Sequence, residues 1–284
     1  MITAGLRRAI GAAAGRPDAD PLLRPGPVPG SYTSSLPFRL DPGDPGEAAA
    51  RLAARLSDTL WIASAEVTGS GFLTVTVTHA ALARLAIRIA NAGPACAESD
   101  ALAGRTVRAP RPAAAADWPQ ARAALAAELT ARLAAAAGAI ISAERTSVPA
   151  PAPPPPGPVA EAIHYAGHDA VRFALARMPP GGQPPEAAVI ARHVLANPAY
   201  AVRYAHAAAA AVLRWAAALE IRPAGFKPRL LAEPGELALL DALSWLPERV
   251  AAAARRGRPD EFAGYLAELA ARTIDTMSTT SFRK

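Results

Sequence analysis

The apolar positions of this chain change period along its length. In "DPGDPGEAAARLAARLSDTL" (41–60), Ala49, Leu52, Ala53, Leu56 and Leu60 fall at helical spacing, so an amphipathic helix is predicted. The next stretch, "WIASAEVTGSGFLTVTVTH", switches to a period of two. "WIASAEV" and "FLTVTVT" read as paired strands around a turn at Gly69, Ser70 and Gly71. Leu73, Val75 and Val77 share one face of the second strand, and Phe72, Thr74 and Thr76 the other. "SSLPFRL" reads as a further strand and "AALARLAIRIANAG" as a closing helix. The opening "MITAGLRRAIGAAAG" reads as a short surface helix, too weak in its apolar part for a secretory segment.

From residue 96 the pattern is helical or absent. "RTVRAPRPAAAADWPQ" reads as a basic connector, and "ARAALAAELTARLAAAA" as a helix with Leu125, Leu129 and Leu133 on one stripe. "VPAPAPPPPGPV" has too few backbone donors for helix or sheet, and reads as an extended linker. Beyond it, "AEAIHYAGHDAVRFALARM", "EAAVIARHVLA", "NPAYAVRYAHAAAAAVLRWA", "PGELALLDALSWLP", "PERVAAAARRG" and "RPDEFAGYLAELAARTIDTM" all read as helices. Asn197 is a credible N-cap with Pro198 behind it. The expected architecture is a small α+β domain (1–95) with an antiparallel hairpin or sheet and helices. An Ala-rich helix and Pro-rich linker (96–160) joins it to an all-α helical bundle (161–284).

Composition narrows the function classes. A single Cys96 among 284 residues excludes an internal disulfide and a cysteine-built zinc site. No run approaches the ~18 consecutive apolar residues of a membrane span, so no membrane partner is expected, and the lone cysteine is compatible with the reducing cytoplasm expected as its location. The net charge is +6, nearly all of the basic residues being arginine. Arginine suits phosphate and base contacts, but Ala, Arg and Pro together also follow from a GC-rich coding sequence.

The candidate chemistry is sparse. His164 and His168 are four apart, but Gly167 interrupts them and no third ligand is evident, so no metal is expected. Walker-type, Rossmann and nucleophile-elbow motifs are absent, so no cofactor and no catalytic residue are assigned. Arg255, Arg256 and Arg258 form either a solvated basic helix end or a phosphate contact. In the helix from Asn197, Tyr200 and Tyr204 share a face, with Arg203 beside them and His206 on the neighbouring face. They are either buried tyrosines with satisfied hydroxyls or a stacking and phosphate-contacting surface for unpaired RNA. The alanines after them read as the close-packed side of a bundle helix. Phe72 is either an edge packing residue or a flat platform.

The chain resembles arginyl-tRNA synthetases in two places. "NPAYAVRYAHAAAAAVLRWA", "GHDAVRFALARM" and "LLDALSWLPERVAAAARRGRPDEFAGYLAELA" look like the family's C-terminal DALR-type anticodon-binding domain and the segment just before it. "SSLPFRL" and "AEVTGSGFLTVTV" look like its accessory N-terminal domain, whose hairpin touches the D-loop corner of tRNA. The resemblance covers roughly residues 30–90 and 160–275. It departs where the family has a nucleotide-binding domain between the two blocks; only residues 96–160 stand here, apart from a remnant around Asp169 and Arg172. Ala208 replaces an Arg of the anticodon helix, Thr74 an Asn of the hairpin, and the tail "TIDTMSTTSFRK" an aromatic end. The resemblance therefore implies a tRNA-binding protein without autonomous aminoacylation. Tyr200, Arg203, Tyr204, His206, Phe72, Thr74, Arg255, Arg256 and Arg258 would be its contacts. The alternative is a protein-interaction module derived from the anticodon-binding domain.

Overall fold

The computed structural model describes residues 1–108, 117–142, 157–221 and 226–279. The proline run at 148–156, half of the basic connector (109–116) and the last five residues lie outside them. Along the chain stand α1 (Ile2–Ala13), β1 (Leu23–Pro25), β2 (Ser31–Ser34), α2 (Pro37–Leu40), α3 (Pro45–Leu56), β3 (Ile62–Thr68), β4 (Phe72–Val77) and α4 (His79–Ala92). They are followed by β5 (Thr106–Arg108), α5 (Trp118–Ala136), β6 (Ile140–Ser142), α6 (Pro158–Ala166), α7 (His168–Arg177) and α8 (Ala187–Ile190). The helices α9 (Pro198–Ala218), α10 (Pro234–Ser244), α11 (Leu246–Arg256) and α12 (Pro259–Thr279) complete the described chain. A small antiparallel sheet with helices thus precedes a helical C-terminal region.

Two compact units are present, and neither is a continuous stretch: Met1–Cys96 with Ala224–Trp245, and Ala97–Pro223 with Leu246–Lys284. The first is built on the antiparallel sheet β1-β2-β4-β3. The alternation read from the sequence holds, since Leu73, Val75 and Val77 are all buried. Glycine is required at the hairpin tip. Gly71 has φ +127°, and a Cβ there would lie 2.8 Å from the Pro45 backbone carbon. "SSLPFRL" is not a strand: pairing ends at Ser34 and Pro37–Leu40 turns helical, the proline sitting in a first turn that needs no donor from it. Leu60 lies past the end of α3 and is 98% exposed. Nor does α1 merely coat the surface. Its Leu6 and Ile10 are fully buried beside Leu52, Leu56 and Leu85.

The helix α10 belongs to this first unit. Its Leu240 and the following Trp245 complete the core, Trp245 lying 5.4 Å, ring to ring, from Tyr32. The Tyr32 hydroxyl and the Ser244 Oγ are hydrogen-bonded at 2.8 Å, and the Gly30 N–H donates to Asp241 Oδ1 at 3.0 Å. Burial pushes the Tyr32 phenol well above its ordinary pKa, so it stays a neutral partner.

The second unit is helical, with one short parallel ladder, β5 with β6, in a segment that reads as a connector by composition. Leu125 of α5 packs with Val171, Leu175 and Ile190; Leu133 and Ala134 pack with Val250, Ala251 and Ala253 of α11. The Ala-rich helix is therefore a bundle member. The left-handed Gly167 (φ +87°) separates α6 from α7, as its position between the two histidines implied.

Candidate nucleic-acid interface

Asn197 starts the site. Its Oδ1 accepts from the Ala199 N–H, capping α9, while its Nδ2 donates to the carbonyls of Ile190 (2.9 Å) and Arg192 (2.7 Å). One side chain thus both begins the helix and holds the preceding loop against it. The sequence pattern suggested a longer helix over 186–196. The structure keeps only its first turn, α8, and places His193 in the loop.

That loop brings the imidazole of His193 onto Tyr200, the ring centroids 5.4 Å apart and the planes 18° apart. Tyr200 in turn stacks on Tyr204, at 5.9 Å and 26°. Three rings therefore form one row beside the first two turns of α9. Contacts of this kind are worth about 0.5–1.5 kcal/mol each. The row is not sealed into the core: Tyr204 is 45% exposed, and Arg203 and His206 are exposed on the turns beside it. The tyrosines are thus not the buried pair that one reading of the sequence allowed. His193 was missed there because nothing in helical spacing links it to Tyr200; the link is the Asn197-anchored loop.

What α9 buries is equally telling. Ala199, Ala201 and Ala205 face the bundle, where α7 and α12 pack on the helix. From Val212 onward the helix is largely exposed, with Trp215 at 65%. The expectation that the alanine half is the packed half is overturned. Small side chains permit close approach, but the neighbours cover the first turns.

The remaining sequence-proposed residues are scattered. Arg256 pairs with Glu261 at 2.8 Å, and Arg258 grips Asp260 through two hydrogen bonds of 2.9 and 2.7 Å. The Arg258 guanidinium holds the Asp260 carboxyl below the usual carboxylate range. Both arginines serve the turn into α12, while Arg255 is exposed on the last turn of α11. In the first unit, Phe72 packs its ring on Phe38 (4.8 Å) and keeps 37% exposure. The Thr74 hydroxyl is engaged with Thr68 (2.8 Å) and Thr33 (3.3 Å). Arg172 pairs with Glu128 of α5 at 2.6 Å, a bond within the bundle.

A helix-capped row of partly exposed aromatic rings, with Arg203 and His206 exposed beside it, is the kind of surface on which unpaired bases stack. Residues 202–276 match the DALR anticodon binding domain, so the helical C-terminal region carries an anticodon-binding domain, running from α9 to α12. The arginine–tRNA ligase of Clavibacter sepedonicus is 39% identical over 109 residues, which are 38% of this chain and 20% of that enzyme. That of Acidithiobacillus ferrooxidans is 43% identical over 83 residues (28% and 14%), and that of Bifidobacterium longum 38% over 110 residues (38% and 18%). The matches thus span a fifth or less of these curated relatives. No helix among the described residues is long and apolar enough to cross a membrane.

Proposed function

We propose that this chain binds tRNA through the aromatic row His193–Tyr200–Tyr204 and does not itself aminoacylate it. The observation that carries the reading is the position of the row: it lies on and beside the first turns of α9, where the anticodon-binding domain begins, stacked and still open to solvent. Tyr204 presents a face to an unpaired base, while Arg203 and His206 offer donors to phosphate or base edges. Phe72, with its partly open face at the hairpin, supplies a second and weaker contact from the first unit, the accessory-domain part of the resemblance. Arg255 is the one residue of its basic turn offered to phosphate; Arg256 and Arg258 hold the turn that carries it. Against aminoacylation stands the content of the segment between hairpin and α9. Its described residues form helices and a three-residue parallel ladder, which is not the doubly wound sheet that nucleotide binding uses.

Filter binding against total tRNA at low salt tests the reading. Wild-type chain should bind, with affinity falling as salt rises. Tyr204→Ala should weaken binding by the ~1–3 kcal/mol that one stacked base is worth. ATP–pyrophosphate exchange with arginine should give no signal. Absence of tRNA binding at low salt, or a clear exchange signal, would overturn it.

A further inference from the structure

Arg203 and Tyr204 are followed, eleven residues later, by Arg214 and Trp215. At about 3.6 residues per turn, eleven residues return an α-helix to nearly the same azimuth, about 20° beyond three full turns. The pair Arg–aromatic is therefore presented twice on one side of α9, the second copy about 16 Å along the axis from the first, given a rise of ~1.5 Å per residue. Both arginines are exposed, and Trp215 is more open than Tyr204. Between the two rings the stripe is floored by Ala208 and Ala211, so no large side chain stands up from it. From Pro198 to Leu219 the helix carries Arg203, His206 and Arg214 and no Asp or Glu.

We infer that Arg214 and Trp215 form a second base-stacking and phosphate-contacting step, so that α9 is a track for a single-stranded RNA segment rather than a one-base site. The inference rests on the RNA-binding reading above and extends it. The all-cationic charge of the stripe favours a polyanion. A track of ~16 Å holds about five nucleotides at the stacked spacing of ~3.4 Å, and fewer when the strand is drawn out. The aromatic faces accept any base, so this second step adds affinity and length preference more than sequence preference. The neighbouring Leu213 and Leu219 are exposed as well, which makes a protein partner the competing occupant of this face.

The experiment uses the full chain with an unstructured octaribonucleotide and a diribonucleotide, followed by anisotropy and tryptophan fluorescence. Trp215→Leu keeps an apolar side chain but loses the ring; Trp215→Phe keeps a ring. Trp215→Leu should weaken octanucleotide binding roughly 5- to 150-fold, the effect of one stacked base. Trp215→Phe should bind close to wild type while abolishing part of the RNA-induced quenching. The dinucleotide, too short to reach both steps at once, should bind far more weakly than the octanucleotide and lose much less affinity to Trp215→Leu. Arg214→Gln should lower the salt slope by about 0.7. If Trp215→Leu binds the octanucleotide as wild type does while Tyr204→Leu does not, the second step is wrong and the first site stands. If the wild type binds neither oligonucleotide, both fall. Self-association that Trp215→Leu abolishes, with no RNA-induced quenching, assigns the face to protein and overturns the inference.

Discussion

Two aromatic assemblies in this chain use similar rings to opposite ends. Tyr32 and Trp245 meet inside the first unit, buried among Leu6, Leu73 and Leu240, with the one hydroxyl spoken for by Ser244. His193, Tyr200 and Tyr204 meet on the outside of the second, stacked and partly open, with Arg203 and His206 exposed beside them. Burial converts aromatic surface into stability at roughly 25 cal/mol per Å². A ring left partly exposed forgoes some of that and keeps a face for a ligand. The first assembly holds a discontinuous unit together; the second is the recognition surface proposed for RNA.

The largest effect expected from breaking this contrast is in the core. Trp245→Ala should destabilise the first unit by about 3–5 kcal/mol, a large share of an ordinary domain's stability, read as a lower urea midpoint and lost amide protection in α4 and β4. Trp245→Phe should cost less, because it keeps an aromatic ring in the core and removes an Nε1–H that has no partner among the described residues. Next comes Asn197→Ala. It removes the cap of α9 and the anchor of the His193 loop, so about 0.5–2 kcal/mol of stability should go. RNA affinity should fall by less than in Tyr204→Ala, since both tyrosines remain. A variant that loses stability and binds RNA unchanged would detach His193 from the site.

The smallest effect is the pH dependence of the Arg258–Asp260 pair. The folded carboxyl titrates below its unfolded value, so its stabilisation is complete above the usual carboxylate range near 4. It is lost as pH falls through the depressed folded value. The difference in melting temperature between wild type and Arg258→Gln should therefore shrink on acidification. It should stay small throughout, because the Arg258 side chain is still partly exposed to solvent.

What the sequence discloses is what local periodicity can carry. The strand alternation at Leu73, Val75 and Val77, the turn glycines and the Asn197 cap all depend on neighbours in the chain, and all are present. The allegiance of α10 is different. Leu237, Leu240 and Leu243 announce an apolar face but not what covers it, and it is covered by the core built around Tyr32, more than two hundred residues away. The site divides the same way. Tyr200 and Tyr204 are neighbours by helical spacing alone, whereas His193 joins them only because Asn197 folds its loop back. The exposure of Trp215 also escapes a reading by pattern, since an alanine-rich helix looks packed until its neighbours are placed.

The central claim is that unpaired bases stack on the open row, while the basic turn at 255–258 supplies no more than a phosphate contact through Arg255. Ultraviolet crosslinking of the full chain to tRNA, followed by peptide mapping, tests it most directly. The account predicts nucleotide adducts on Tyr200 or Tyr204, from unpaired positions of the tRNA, that disappear in Tyr204→Ala. Crosslinks confined to the turn between α11 and α12, unaffected by Tyr204→Ala, would contradict it.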